Sequence, residues 1–246
     1  MFKKFSALSF AALIVSVTSL ASPGAAAQMQ FSDNYLYPSL FIASDYRYQG
    51  ISNSQLDPAV QASLYVWRPD GYYAGMWLSP VDFNDPGDTK VELDTYLGRN
   101  ISFGKDQAYT LNGELMYSAF DDSVPGPTYD FWQAKLAVSR EIGRLSAEVL
   151  TSWIPETPYG GGQAWRLEGD FRYRWNEWLQ WRANAGHRWN EGGNGYGYAS
   201  LGFILHQGRF EVELQYTETT LDYAECEYSD RCDAGLVGVL SYHFWR

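Results

Sequence analysis

The residues of this sequence most able to bind or select solutes are charged side chains that occur at every second position. Between Ala164 and Trp175, alternate positions carry three arginines and two carboxylates, and the positions between them are aromatic or aliphatic apart from one glycine. Side chains of a β-strand alternate between two faces, so this stretch predicts one charged and one apolar face. Charged faces that line a water-filled channel select ions and polar solutes. The candidate lining residues are Arg166, Glu168, Asp170, Arg172, Arg174, Arg182, Glu92, Asp94, Glu114, Glu148, Glu211 and Glu213.

Two kinds of protein present such a strand. In a soluble sheet, the apolar face forms the core and the charged face meets bulk water. In an outer-membrane barrel, the apolar face meets lipid and the charged face meets the lumen. The rest of the chain has to decide between them.

The N-terminal segment, residues 1–27, has the pattern of a secretory signal. Lys3 and Lys4 precede an apolar run from Phe5 to Leu20, and Ala25–Ala27 offers a cleavage site. The run is short for a membrane-spanning helix, which needs about 20 residues. We therefore predict a cleaved signal at 1–27 and an exported single domain at 28–246. Without the two lysines the net charge changes from −11 to −13, and this acidity argues against nucleic acid as a partner.

Twelve segments of the remaining chain have the composition or the alternation of β-strands. Aromatic residues make up 17% of the sequence, which is high and suits an exported β-protein. Barrel strands hide their hydrophobicity by alternation, so the low mean hydropathy of −0.34 does not exclude a membrane protein. The predicted strands are 36–48, 59–68, 72–83, 89–101, 107–119, 128–141, 144–154, 164–175, 178–189, 196–206, 209–221 and 234–245.

Short and long connections alternate along the chain. Five connections are tight turns rich in Gly, Asn and Asp, and the intervening ones are mostly longer. Outer-membrane barrels have short periplasmic turns and longer extracellular loops, whereas a soluble sandwich has no reason to sort its loops. The sequence therefore predicts an all-β fold, an antiparallel up-and-down transmembrane β-barrel of about twelve strands. The final strand alternates to Phe244, as expected of a signal for the outer-membrane assembly machinery, although Trp245 and Arg246 overrun it.

The first four predicted strands contain a series of short motifs with a family resemblance. They read SDYRYQGIS at 44–52, DPAVQ at 57–61, GYYAGMW at 71–77, VDF at 81–83 and VELDTY at 91–96. In order and spacing these motifs resemble the TorF-family porins of Gram-negative bacteria, over about a quarter of the chain. The resemblance implies an outer-membrane barrel with a pore role and implies no catalytic residues.

The two cysteines, Cys226 and Cys232, lie in the last long loop among acidic residues. Because an exported chain meets an oxidising compartment, we predict that they form a disulfide. The alternative is a metal site of two thiolates and carboxylates, which lacks histidine.

These features predict a passive diffusion channel for small polar solutes or ions, localised in the outer membrane. A non-conducting structural or adhesive barrel is the alternative if the interior charges pair and fill the lumen, and a barrel enzyme is the third. We expect no enzyme, cofactor or metal, because no Gly-x-Ser-x-Gly motif occurs and the three histidines have no metal-ligand spacing. The expected partners are outer-membrane lipid, the permeating solutes or ions and the assembly machinery. A homo-oligomer is compatible with the architecture, although no interface signal stands out.

Overall fold

The structure, a computed structural model, describes residues 29–31, 34–121, 128–193 and 195–244. The predicted signal segment 1–27 lies outside the described residues, as do Trp245 and Arg246. Within the described part of the chain, no helix has the length and apolar character needed to cross a membrane. The helical elements there are short 3₁₀ turns, at Lys105–Gln107, Pro158–Gly160 and Asp230–Cys232.

Alternating polar and apolar side chains form fifteen β-strands in these residues. In chain order they are β1 (Met29–Phe31), β2 (Asn34–Ala43), β3 (Arg47–Tyr48), β4 (Ile51–Ser52), β5 (Ala59–Trp67), β6 (Tyr72–Pro80), β7 (Val91–Phe103), β8 (Tyr109–Phe120), β9 (Phe131–Ile142), β10 (Leu145–Ile154), β11 (Ala164–Arg174), β12 (Leu179–Asn190), β13 (Tyr196–Gln207), β14 (Phe210–Thr219) and β15 (Gly235–His243).

Twelve of these strands, β2 and β5–β15, close into an antiparallel barrel. Each pairs with the next along the chain, and β15 returns to β2 with His243 opposite Ser39 and Val239 opposite Ala43. Closure leaves no unpaired edge in the barrel wall, which satisfies the backbone hydrogen bonds as a membrane span requires. The predicted fold class is confirmed. Strand β1 adds a short extra pairing along the start of β2.

The burial pattern is the inverse of that of a soluble protein. Large apolar side chains lie exposed on the outer face, with Leu97 and Leu201 61% and 59% exposed. The most completely buried side chains are polar, including Gln133, Ser79 and Ser118. An apolar exterior around a polar interior fits lipid outside and polar groups inside, as in transmembrane barrels.

The connections are sorted between the two ends of the barrel, as predicted. Tight turns follow β5, β9 and β13, and each contains a glycine with positive φ, at Gly71, Gly143 and Gly208. Residues lacking a Cβ adopt this conformation without strain. The start of β2 and the end of β15 lie at the same end as these turns, and the longer connections, including 44–58, 81–90 and 220–234, lie at the other.

The first predicted strand, 36–48, is wrong at its C-terminal end. Strand β2 stops at Ala43, and the chain then turns into the barrel, where β3 and β4 pair as a two-stranded hairpin with Arg47 opposite Ser52. Alternation of polar and aromatic residues continues through Tyr48, so periodicity alone extends the strand. The turn is set by side-chain contacts within the loop, which periodicity does not report.

Candidate functional site

The segment between β2 and β5, residues 44–58, is here called the inserted loop. Its organising residue is Asp45, whose carboxylate pairs with the Arg47 guanidinium and accepts a hydrogen bond from Ser52 Oγ at 2.6 Å. The side chains of Asp45 and Arg47 are only 8% and 7% exposed. Arg47 Nη1 also donates to the carbonyl of Gly50 at 3.0 Å. These contacts close the hairpin on itself inside the barrel.

One side of the inserted loop contacts strands β7 and β9. The hydroxyl of Tyr46 donates to Glu92 Oε2 at 3.1 Å, and Gln133 Nε2 donates to the hydroxyl of Tyr48 at 3.3 Å. Burial and the neighbouring carboxylate of Glu92 raise the pKa of Tyr46 well above its usual value. The phenol therefore stays neutral and remains a donor to Glu92.

The other side of the inserted loop contacts strands β12 and β13. Gln49 Oε1 accepts from the hydroxyl of Tyr196 at 3.3 Å and from Arg188 Nη1 at 3.5 Å. Arg47 Nη1 donates to the carbonyl of Asp233 at 2.6 Å, next to the start of β15. Because these partners and those on β7 and β9 belong to different parts of the wall, the inserted loop lies across the lumen.

The inserted loop lies between an outer and an inner part of the lumen. An outer cavity of about 430 Å³ is bordered by Tyr48 and Asn53 of the loop, and an inner cavity of about 240 Å³ by Arg47 and Gln49. A second inner cavity of about 500 Å³ lies against strands β5–β9. Rings contributed by loop residues and strand ends line the outer cavity, namely Phe83, Phe120, Tyr129 and Phe131. The lumen is thus divided into chambers rather than being an unobstructed tube.

The two cysteines of the last outer loop are joined in the structure. Cys226 and Cys232 form a disulfide, are both 4% exposed and border the outer cavity. The bridge spans six positions of sequence, so it holds one loop and crosses no strand pair.

The predicted lining residues of β11, β12 and β14 meet in an ion-paired network. Asp170 accepts from Arg172 Nε at 2.7 Å and from Arg182 Nε at 2.8 Å, and Arg182 Nη1 reaches Glu213 Oε1 at 3.1 Å. Strand pairing places Glu148 directly opposite Asp170. Arginines and carboxylates therefore share this wall.

Nearer the outer end of the same wall, Glu168 is the centre of a second group. It lies 3.4 Å from Arg166 Nη1 and accepts hydrogen bonds from Asn184 Nδ2 at 2.7 Å and from the Tyr198 hydroxyl. Arg174, the last predicted lining residue of β11, is exposed and lies beside the tight turn that follows this strand. We call the surface formed by these two groups the ion-paired wall.

The opposite wall, on β7–β9, carries three further predicted carboxylates and one cation that sequence reasoning missed. Lys135 Nζ pairs with Glu114 Oε1 at 2.8 Å, and Tyr73 donates to Glu114 Oε2 at 3.0 Å. Glu92 and Asp94 share the lumen-facing side of β7. In the predicted strand 128–141, Lys135 and Gln133 lie on the same, polar parity. This alternation is the sequence signal that could have identified Lys135 as a lining residue. Three carboxylates and one lysine make this wall acidic.

A polar cluster near the tight-turn end of the barrel brings together residues that are distant in sequence. His206 Nδ1 lies 2.9 Å from Glu211 Oε2, His243 Nε2 lies 3.8 Å from the same oxygen, and His243 Nδ1 contacts Ser39 Oγ at 2.9 Å. Ser39 and His243 are both buried, at 6% and 9% exposed. Among the described residues, no group of three or more His, Cys, Asp or Glu side chains is arranged to hold a metal ion.

A sequence family matches most of the chain. Residues 24–237 match the Gcw_chp family, described as a bacterial protein of unknown function. The chain belongs to this family. No curated protein matches it in sequence.

Several solved outer-membrane barrels have a similar fold. The KdgM porin matches with a TM-score of 0.56 and 5% identity over 84% of this chain and 98% of its own. The NanC porin matches with a TM-score of 0.54 and 10% identity over 84% and 97%. The COG4313 outer membrane channel from Pseudomonas putida F1 matches with a TM-score of 0.57 and 10% identity over 91% and 98%. At these identities the similarity establishes the barrel fold alone.

Proposed function

We propose that this protein is an outer-membrane porin, a passive diffusion channel for small polar solutes or ions. The observation that carries the proposal is the inverted barrel, in which charged side chains border chambers inside a lipid-facing exterior. Twelve strands enclose a wider interior than the eight-stranded barrels that side chains can fill. The fold shared with the KdgM and NanC porins and the TorF-family resemblance of residues 44–96 support the same function.

In this proposal, permeability is set by the narrowest passage and by the charges beside it. The inserted loop crosses the lumen and provides that constriction. Solutes then pass between the ion-paired wall and the acidic wall. The paired arginines reduce the net charge of the first wall, so the acidic wall favours cations over anions.

This architecture supports a location in the outer membrane, with the short turns on the periplasmic side. Aromatic side chains at strand ends support this placement. Trp165 and Trp189 lie exposed near the outer ends of β11 and β12, and Tyr173 and Trp181 lie exposed near the other ends. Such rings anchor barrels at the two membrane interfaces. Residues 1–27 would supply the export signal.

A non-conducting barrel is the competing function, and two observations favour it. The inserted loop lies across the lumen, and most predicted lining residues of β11–β14 are engaged in ion pairs. Such a barrel would serve as a structural or adhesive protein of the envelope.

Planar-bilayer recording of the refolded protein separates the two functions. A porin gives discrete conductance steps and a defined reversal potential in a salt gradient. A folded preparation, recognised by its shift in gel mobility on boiling, that never conducts would refute the porin. Recovery of the native protein in the soluble periplasm, rather than the outer membrane, would refute the architecture itself.

A further inference from the structure

We propose that the inner cavity against strands β5–β9 binds organic cations that carry an ammonium group. This deepens the proposed porin function, because the cavity is part of the same lumen and would select this class of solute. We call it the tyrosine cavity. It is open to the lumen and has a volume of about 500 Å³, within the range of small-molecule sites. Its lining residues are Tyr65, Tyr73, Trp77, Asp94, Tyr96, Asn100, Asn112, Glu114, Met116 and Lys135.

The aromatic rings of the tyrosine cavity lie against the barrel wall with glycine behind them. A Cβ added at Gly75 would come 2.5 Å from the Tyr96 ring, and one added at Gly98 would come 2.3 Å from Tyr73. Each ring therefore covers a glycine. Tyr73 is only 6% exposed and meets Tyr96 edge-on, whereas Tyr65 and Tyr96 are partly exposed. The ring centroids of Tyr65 and Tyr73 are 5.4 Å apart, and those of Tyr73 and Tyr96 are 6.4 Å apart.

The partly exposed rings of Tyr65, Trp77 and Tyr96 form a surface that attracts cations. The face of an aromatic ring carries the negative part of its quadrupole. An ammonium group within about 6 Å of several ring centroids is attracted to all of them, as in aromatic cages for quaternary ammonium groups. The apolar substituents of such a ligand also suit the ring faces, which a hydrated metal ion would not use.

The carboxylates of the tyrosine cavity add a second, independent observation. Both oxygens of Glu114 are engaged, one by Lys135 and the other by the Tyr73 hydroxyl. Asp94 Oδ1, by contrast, is buried and accepts no hydrogen bond from any residue of the described ranges. Because Oδ1 itself has no surface open to the lumen, a bound cation would be stabilised by the charge of the Asp94 carboxylate rather than by a hydrogen bond to this oxygen. With Asp94, Glu114 and Lys135 as its charged groups, the cavity has a net charge of −1.

Carbohydrates are the main alternative ligands, because aromatic faces and polar edges also suit sugar rings. A neutral sugar, however, does not neutralise the carboxylate of Asp94. An anionic sugar would be repelled by Asp94, and the cavity's cation, Lys135, is already paired with Glu114. The charge of the cavity therefore favours organic cations.

The tyrosine cavity also adjoins the constriction. Trp77, which lines the cavity, lies 4.9 Å by ring centroids from Tyr46 of the inserted loop. Tyr46 in turn donates to Glu92 on the acidic wall. A cation bound in the cavity would thus lie beside the passage that limits permeation, and its binding would be visible in channel currents.

The test is calorimetric titration of the refolded full-length barrel with choline chloride, and with glucose and sodium gluconate at equal ionic strength. We expect choline to bind with a millimolar dissociation constant and the other two to bind at least tenfold more weakly. Asp94→Asn should weaken choline binding about tenfold. Asp106→Asn, a matched acid-to-amide change in an exposed periplasmic turn, should not change it.

Ring variants separate ligand binding from a role in folding. Tyr96→Phe keeps the ring over Gly75 and should retain most of the affinity, whereas Tyr96→Leu should lose it while the barrel still shifts in gel mobility on boiling. Equal binding of glucose and choline, or unchanged affinity in Asp94→Asn, would overturn the proposal. Because titration does not depend on conduction, the outcomes remain distinguishable: conduction without choline binding refutes this inference alone, and choline binding without conduction refutes the porin alone.

Discussion

Replacing Asp45 with asparagine should release the inserted loop from the lumen while the barrel stays folded. The substitution keeps the shape of the side chain but removes the charge that pairs with Arg47. It also weakens the acceptor for Ser52 Oγ at 2.6 Å. The twelve barrel strands take none of their backbone hydrogen bonds from this carboxylate, so the effect should be confined to residues 44–58.

The magnitude follows from the burial of the ion pair. Removing one partner of a buried pair costs about 3–5 kcal/mol, because the other charge is left uncompensated. Arg47 keeps two carbonyl acceptors, Gly50 and Asp233, which places the cost near the lower limit. About 3 kcal/mol corresponds to roughly a hundredfold increase in the population of the displaced loop, since each 1.4 kcal/mol is about a factor of ten.

Two measurements check this prediction. Single-channel recording of Asp45→Asn should show transitions to a larger conductance level that are rare in the unchanged protein. Hydrogen exchange should accelerate at the Asn53 amide, which donates to the Tyr46 carbonyl at 2.7 Å. Asp57→Asn, an acid-to-amide change at an exposed position of the same loop, serves as the control. If both conductance and Asn53 exchange match those of the control, Asp45 does not hold the loop in the lumen.

Three further predictions test the lipid and lumen faces of the strands, the charges of the ion-paired wall and the role of the disulfide. Leu201→Arg, on the lipid face near the middle of β13, should destabilise the barrel by about 2–4 kcal/mol in urea unfolding from lipid vesicles. Gln215→Arg, at similar depth on the lumen face, should cost much less, and equal losses would contradict the assignment of faces. Arg182→Gln leaves two carboxylates without their shared arginine. The reversal potential in a salt gradient should then show stronger selectivity for cations, and a change toward anion selectivity would contradict the role of Arg182 in neutralising the ion-paired wall. Replacing Cys226 and Cys232 with serine should speed proteolysis of the outer loop, because a ring this small contributes about 2 kcal/mol of local order. A lowered unfolding midpoint of the barrel would contradict this local role.

Much of the fold could be predicted from the sequence, because strand alternation is a local property. The eighth predicted strand, 164–175, corresponds to β11 within one residue. On its charged parity Arg166 and Asp170 are buried inside the barrel, whereas Arg172 and Arg174 are exposed. The parity of β7 likewise places Glu92 and Asp94 inside and Leu97 outside. Turn residues at Gly71 and Gly208 mark hairpins that the structure contains.

The candidate site was less accessible to sequence reasoning, because its contacts join residues far apart in the chain. Gln49 meets Arg188 and Tyr196 across roughly 140 positions, and no local pattern reports such a pairing. The tyrosines of the inner cavity were predicted as strand residues, but their proximity depends on the register between β5, β6 and β7.

The sequence by itself determined the strands, their two faces and the sorting of loops, because alternation and turn chemistry act over neighbouring residues. Only the tertiary structure decided what occupies the lumen. The same alternation that runs through Tyr46 and Tyr48 is compatible with a longer strand, and the chain turns inward because Asp45, Arg47 and Ser52 bind one another there. Likewise, Arg182 of β12 meets Asp170 of β11 and Glu213 of β14 only because the register between these strands brings their side chains together.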